Sequence, residues 1–236
     1  VAIVNTTDAL VLRTYNLGDA DKIALFLTQQ AGVLRGVAKG ARKLRSKFGA
    51  GLEPFTVINL TYRAKEDREL VSIQNIEIRD SYFNNSSDPD VMADWAFMGE
   101  LIASLSPPNE PNPKLFALSK ACMETLAGEP FNRRAVRLYF SLWLLKICGM
   151  LPGWNTCLRC HESLAPEGGI FVDGKAHLYC INCRPPTART LAPNTFKLLV
   201  ATRTHGPAEF AKLVQSDTQA TLDLEAIAGT LLAAAL

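Results

Sequence analysis

An α+β protein, with an N-terminal antiparallel β-domain followed by a helical region, is predicted by three features of the sequence. Over residues 8–80, short apolar runs alternate with turn chemistry. Beyond about residue 88, apolar residues recur every three or four positions. Four cysteines then form two C-x-x-C pairs within residues 153–190. A chain of 236 residues, 48% hydrophobic and 20% charged, has the length of one large domain or two ordinary ones. Its apolar content suffices for a sizeable core, which excludes a disordered or fibrous chain and a small cross-linked scaffold. The formal net charge is only +2, from 25 Lys+Arg against 23 Asp+Glu, so bulk charge does not point to nucleic acid.

The β-domain rests on five runs: Ala9 to Leu12, Ile23 to Leu27, Val33 to Ala38, Phe55 to Tyr62 and Glu69 to Ile78. Turn candidates separate them at Asn16-Leu17-Gly18-Asp19, at Gln30-Ala31-Gly32 and in the polar stretch Arg63 to Arg68, the spacing of a small barrel or sandwich. In the last run the apolar parity changes from Val71 and Ile73 to Ile76 and Ile78. A bulge there restores a constant inner face and lets the sheet turn a corner.

A polar link, Asn84 to Asp88, ends this region, and the domain boundary is placed there: 1–82 for the β-domain, 83–236 for the helical one. Pro89 after Asp88 reads as a first-turn proline behind a cap. Val91, Trp95, Met98, Ile102 and Leu105 form the buried stripe of a helix closed by Pro107-Pro108. A second helix is expected from Asn112-Pro113 to Gly128. A third carries the broad stripe Val136, Tyr139, Phe140, Trp143, Leu144 and Ile147, with Gly149 as its stop. Two more are expected near Asn194–Thr204 and Thr218–Leu236, with a cysteine module at 153–190 between them and the third. The most apolar stretch, Leu138 to Leu151, is too short for a membrane span and contains Lys146. No secretory signal is visible in Val1 to Thr7, and the expected compartment is the cytoplasm.

The cysteines give the most specific local signal. Cys157-x2-Cys160, nineteen intervening residues and Cys180-x2-Cys183 have zinc-ribbon or zinc-finger spacing. Two knuckles of two thiolates complete a tetrahedron around Zn²⁺ and leave no open position for water, so the expected role of the zinc is structural. Two disulfides would be out of place in a reducing cytoplasm, and a redox pair would need a thioredoxin-like context. His161 and His177 read as bystanders, and Cys122 and Cys148 as core.

The second signal is charge segregation. From Lys22 to Leu52 there are seven basic residues, Lys22, Arg35, Lys39, Arg42, Lys43, Arg45 and Lys47, and no acidic one. Five lie between Lys39 and Lys47 in a glycine-flanked loop, an arrangement suited to a sequence-blind phosphate backbone. Such a loop after the third of five strands suggests an OB-fold, which binds single strands through a charged groove with aromatic platforms. Tyr15, Phe48, Phe55 and Tyr62 are candidate platforms, with core placement expected for at least two. Catalytic motifs fail in turn. Gly169 to Ala176 approximates a P-loop but has Ala176 where a hydroxyl must hold Mg²⁺, and it reads as a hairpin turn. No H-E-x-x-H or zinc-deaminase pattern occurs, and three histidines offer little acid–base capacity.

Four segments together resemble the bacterial RecO family of recombination mediators: Ala9-Leu10-Val11-Leu12-Arg13-Thr14, Leu17-Gly18-Asp19-Ala20-Asp21-Lys22, Gly36-Val37-Ala38-Lys39-Gly40-Ala41-Arg42-Lys43, and Phe48-Gly49-Ala50-Gly51-Leu52-Glu53-Pro54-Phe55. Asn112 to Phe116, the long helix ending in Leu145 to Gly149, and Cys157-x2-Cys160 add to it, and the likeness spans about residues 9–200. The resemblance implies a five-stranded OB-fold barrel, then an all-α domain with a zinc-finger-like insert. It implies a non-enzymatic, cytoplasmic and nucleoid-associated protein that binds single- and double-stranded DNA and anneals complementary strands. The implied partners are RecR, the C-terminal tail of single-stranded DNA-binding protein and, through them, the RecA pathway. By position, the DNA contacts are Arg35, Lys39, Arg42, Lys43, Arg45 and Lys47, and the metal ligands Cys157, Cys160, Cys180 and Cys183. The competing reading is a non-catalytic scaffold whose basic loop meets an acidic partner tail.

Overall fold

A computed structural model of the chain describes residues 3–65, 69–82, 88–128, 132–165, 168–214 and 218–236. The expected turn residues Glu66 to Arg68 and the link Asn84 to Ser87 lie outside the described residues. Five strands, β1 (Ile3–Leu17), β2 (Asp21–Thr28), β3 (Gly32–Ala38), β4 (Val57–Ala64) and β5 (Val71–Asp80), close into a barrel in the order β1-β2-β3-β5-β4. All neighbours are antiparallel except β3 and β5, which run parallel through two register pairs, Gly36 with Val71 and Val37 with Ser72. This is an OB-fold barrel. β1 is much longer than its apolar run because its polar ends also pair: Val4 to Asp8 with β4, and Arg13 to Leu17 with β2. The parity change in β5 is a bulge, since Asn75 faces Thr61 and Ile73 faces Tyr62, leaving Gln74 as the extra residue.

The barrel interior holds Ala9, Val11, Ala24, Phe26, Leu34, Ile58, Leu60 and Ile73, with Phe48 and Leu52 entering from the loop and 3₁₀ turn (Gly49–Leu52) after β3. The larger of these, such as Phe26, Ile58 and Leu60, each contribute on the order of 1.5–3 kcal/mol on burial. The strands alternate inward and outward, so the interior set fixes which residues of β1, β2 and β3 face out.

The chain divides into two compact units, residues 1–120 and 121–236. The first contains the barrel and α1 (Pro89–Leu105), and the division falls within α2 (Pro113–Ala127). Asp88 caps α1 by accepting from the amides of Asp90 and Val91. The expected stripe of α1 is buried throughout, and Trp95 meets the rings of Phe55 and Tyr82 at 5.6 and 5.5 Å. These apolar contacts group α1 with the strands. The segment after α1 also approaches the barrel: Val33 bridges Pro108, and the Asn109 amide donates to the Val33 carbonyl at 3.0 Å. Gly32 permits that approach, with φ +66° and an added Cβ that would stand 2.0 Å from the Glu110 carbonyl oxygen.

In the second unit, α3 (Arg133–Ile147) is buried over most of its surface and packs on α5 (Pro207–Val214) and α6 (Thr218–Ala235), while α4 (Pro193–Thr204) packs on both of those. Gly149, at φ 71°, follows α3 as expected. Helix α5 is absent from the sequence expectation, because eight residues are too few for a helical period to stand out. Its Phe210 is fully buried, 5.4 Å from the Tyr139 ring. A three-stranded sheet, β6 (Phe171–Val172), β7 (Leu178–Tyr179) and β8 (Arg189–Thr190), runs in the order β7-β6-β8. The hairpin of β6 and β7 accounts for the P-loop-like stretch. Among the described residues, no helix is long and apolar enough to cross a membrane.

One buried carboxylate ties α6 to the entry of α4. Asp223 accepts from the Ala192 amide at 3.0 Å, the Thr195 hydroxyl at 3.1 Å and the Arg189 guanidinium. Burial alone would raise its pKa, but these donors outweigh burial and hold it below the usual carboxylate range. A depressed pKa means the stabilisation is present above the unfolded-state value and is lost as pH falls through the folded one. Asp223→Ala is therefore expected to cost about 2–3 kcal/mol near neutrality. The gap in melting temperature between variant and parent should narrow as the pH of the thermal scan is lowered below the carboxylate range.

Candidate nucleic-acid interface and metal centre

The loop after β3 is built, and its attachments explain its position. The Gly40 amide donates to the Asp21 carboxylate at 2.7 Å and the Arg42 amide to the Ala20 carbonyl at 2.9 Å, fixing the loop on the β1–β2 turn. Local turns, Lys43 amide to Gly40 carbonyl and Ser46 amide to Lys43 carbonyl, shape its apex, and Ala41 packs on the barrel core. All six expected contact residues, Arg35, Lys39, Arg42, Lys43, Arg45 and Lys47, are exposed. The Arg42 guanidinium donates to the Gly18 carbonyl at 2.6 Å and the Lys47 ammonium to the Gln74 carbonyl at 2.7 Å. A neutral acceptor orients a cation without cancelling its charge. Among the described residues, none of the six is paired with a carboxylate.

Arg35 stands apart from the loop, on the outer face of β3 opposite Leu25 of β2, which in turn faces Arg13 of β1. The neighbouring row is Tyr15, Ile23 and Val37. Arg13, Tyr15, Ile23, Leu25 and Arg35, together with Pro108 and Asn109 after α1, line a cavity of about 670 Å³. A second cavity of about 590 Å³, sharing Glu69 with the first, is lined by Lys39, Arg63, Lys65, Ser72 and Gln74. Three cations of this surface, Arg13, Arg63 and Lys65, were not singled out by sequence. Arg13 sits beyond the bulge in β1, which reverses its expected side. Arg63 and Lys65 belong to a stretch that reads as turn. Of the four candidate platforms, Phe48, Phe55 and Tyr62 are core residues, whereas Tyr15 is 48% exposed with the Arg13 guanidinium 5.4 Å from its ring centre.

The two cysteine knuckles meet in the second unit. The sulfurs of Cys157, Cys160, Cys180 and Cys183 all lie within 4.8 Å of one another and could hold a metal ion. Metal–sulfur bonds of ~2.3 Å require tetrahedral edges of about 3.8 Å, and Cys160 and Cys180 stand 3.8 Å apart. All six cysteines are free thiols. Burial opposes ionisation of Cys157, but the backbone amides of Cys160, Cys180 and Arg159 directed at its sulfur bring it down to about 6. Burial and the three neighbouring thiols push Cys183 up to about 12. Four thiols crowded this closely compete for one another's protons, and a cation relieves that competition. His177 is occupied elsewhere, its ring 3.2 Å from Asp173, and neither it nor the exposed His161 joins the cluster. Cys122 is fully buried on α2, while Cys148, half-buried, caps α3 and is only partly core.

Comparison with known proteins covers nearly the whole chain. The family model for recombination protein O, N terminal, matches residues 3–82, and that for recombination protein O, C terminal, matches residues 86–232. Proteins named DNA repair protein RecO are similar to it. That of Koribacter versatilis is 33% identical over 182 residues, 76% of this chain and 72% of its own. That of Anaeromyxobacter sp. (strain Fw109-5) is 29% identical over 180 residues, 76% of this chain and 70% of its own. That of Nocardioides sp. (strain ATCC BAA-499 / JS614) is 34% identical over 199 residues, 82% of this chain and 80% of its own.

Proposed function

The chain belongs to the recombination protein O family, whose role is DNA repair by recombination, and from that premise we propose that it is a non-catalytic mediator that binds DNA through its barrel and anneals complementary strands. The observation that carries this reading is the anchored loop of exposed cations, none paired with a carboxylate among the described residues, beside the groove that holds Arg35 and the Glu100-paired Arg13. Lys39, Arg42, Lys43, Arg45 and Lys47 neutralise phosphates on two strands, which lowers their repulsion and lets pairing nucleate. Arg35 holds the backbone along β3, and Tyr15 offers a face on which a base can stack. Pairing itself needs no bond chemistry, so no catalytic group is assigned.

Cys157, Cys160, Cys180 and Cys183 would hold a structural zinc ion, which when bound cross-links the two knuckles. The remaining assignments follow from the family: single- and double-stranded DNA as ligands, RecR and the tail of single-stranded DNA-binding protein as partners, delivery of RecA as the outcome, and a cytoplasmic, nucleoid-associated place of action.

The test is the annealing rate of complementary labelled oligonucleotides. The parent protein should accelerate annealing, and a variant with Arg42, Lys43, Arg45 and Lys47 replaced by Ala, at unchanged melting temperature, should not. The five loop contacts contribute about −3.5 to the slope of log affinity against log salt for single strands, and the variant should lose about 2.8 of it. Acceleration retained by the variant would move the DNA site off the loop. No acceleration by either protein, with binding of an acidic peptide instead, would favour the scaffold reading.

A further inference from the structure

The apex of the basic loop carries an apolar residue where a solvated loop has no use for one. Leu44 lies between Lys43 and Arg45 and is 103% exposed, more than any other large apolar side chain among the described residues. A single exposed leucine is ordinarily unremarkable on a protein surface. Here three further observations bear on it. The loop is fixed by backbone and side-chain bonds to the β1–β2 turn and by Ala41 against the core, so the leucine is presented from a built support. Its two chain neighbours are exposed cations, and no acidic residue occurs between Lys22 and Leu52. The charge around it therefore suits a polyanion, and the part of a polyanionic nucleic acid that accepts an aliphatic side chain is the base stack. Apolar wedges inserted between base steps recur where cations hold the flanking phosphates.

We propose that Leu44 is a wedge: with Lys43 and Arg45 on the phosphates to either side, its side chain enters between adjacent bases of bound DNA and interrupts their stacking. This rests on the loop being the DNA contact and adds what the loop does once bound. Charge neutralisation brings strands together but leaves their bases stacked, whereas a base freed from its neighbour is available to a complementary strand. The wedge thus couples binding to exposure of pairing edges.

The experiment compares the parent chain with Leu44→Ser, Leu44→Phe and Lys43→Ala/Arg45→Ala, on a single-stranded oligonucleotide containing 2-aminopurine–adenine steps. 2-Aminopurine brightens when unstacked. The parent is expected to raise its fluorescence on binding. Leu44→Ser should bind about ten-fold more weakly with an unchanged salt slope and no brightening, and Leu44→Phe should restore both. The lysine–arginine variant should instead reduce the salt slope. Leu44→Ser matching the parent in affinity and brightening would overturn the proposal while leaving the loop as the DNA contact. So would a parent that binds without brightening, or a Leu44→Ser variant whose change is in self-association without DNA. If the parent fails to bind the oligonucleotide at all, the loop reading falls, and the wedge with it.

Discussion

Gly32→Ala is expected to destabilise the N-terminal unit by roughly 2–5 kcal/mol, lowering its melting temperature by on the order of 10 °C or more. Two costs combine. A left-handed φ of +66° is unfavourable for any residue with a Cβ, and that Cβ would stand 2.0 Å from the Glu110 carbonyl oxygen and 2.5 Å from its carbon. Backbone cannot rotate out of the way as a side chain can, so the segment from Pro108 to Glu110 must lift off β3 and surrender its bridge to Val33. Gly18→Ala is the control, because Gly18 has φ +57° but nothing within 4 Å of an added Cβ. It should show only the conformational cost, about 1–2 kcal/mol. Thermal melts of the two variants side by side read the difference, and equal losses would show that the close approach contributes nothing.

Removal of metal from the cysteine cluster is expected to have the larger effect on the second unit. The sheet that follows the first knuckle consists of two-residue strands, which few hydrogen bonds hold. The large apolar residues buried in this module, Trp154, Leu164, Ile170, Phe171, Val172 and Leu178, are few. Binding free energies of ~10–16 kcal/mol for structural zinc in small modules match what six such buried side chains supply, about 9–18 kcal/mol, so loss of the ion removes a share of that size. Chelation, or Cys157→Ser with Cys180→Ser, should therefore melt the module at temperatures where the helices persist. Trp154 reports it directly: its indole is 2% exposed and donates to the Ala176 carbonyl at 3.1 Å. A red shift of tryptophan emission on chelation, reversed by added zinc, is the expected result. Emission and melting unchanged after metal removal would assign the cluster no part in stability.

The extent to which these features were legible in the sequence follows their range. Helices α1, α2, α3, α4 and α6 announce themselves because stripe, cap and stop lie within one segment: Asp88 and Pro89 open α1 as its apolar spacing requires. The four cysteines converge as their spacing implies, since each knuckle is local and only the pairing of knuckles is not. What the sequence conceals depends on registry between segments. The bulge in β1 turns Arg13 to the face that carries Arg35, with Leu25 between them, and only the pairing of β1, β2 and β3 shows it. Phe48 and Phe55, equally aromatic in sequence to Tyr15, became core because the 3₁₀ turn and α1 enclose them. The fastening of the basic loop was hidden likewise, for nothing near Lys39 to Lys47 reveals that Asp21 and Gln74 would hold it.

The parallel seam between β3 and β5 has a kinetic consequence. Its two rungs join residues more than thirty positions apart in the chain, whereas every other seam has longer runs of paired residues. Ordering that span costs entropy before any bond is gained. The hairpins β1–β2–β3 and β4–β5 can form early, from nearby contacts, and the barrel closes last. The basic loop lies within the very span that closure must order: its ties to the β1–β2 turn can form with the first hairpins, but its tie to β5, from Lys47 to Gln74, is completed only as the barrel shuts.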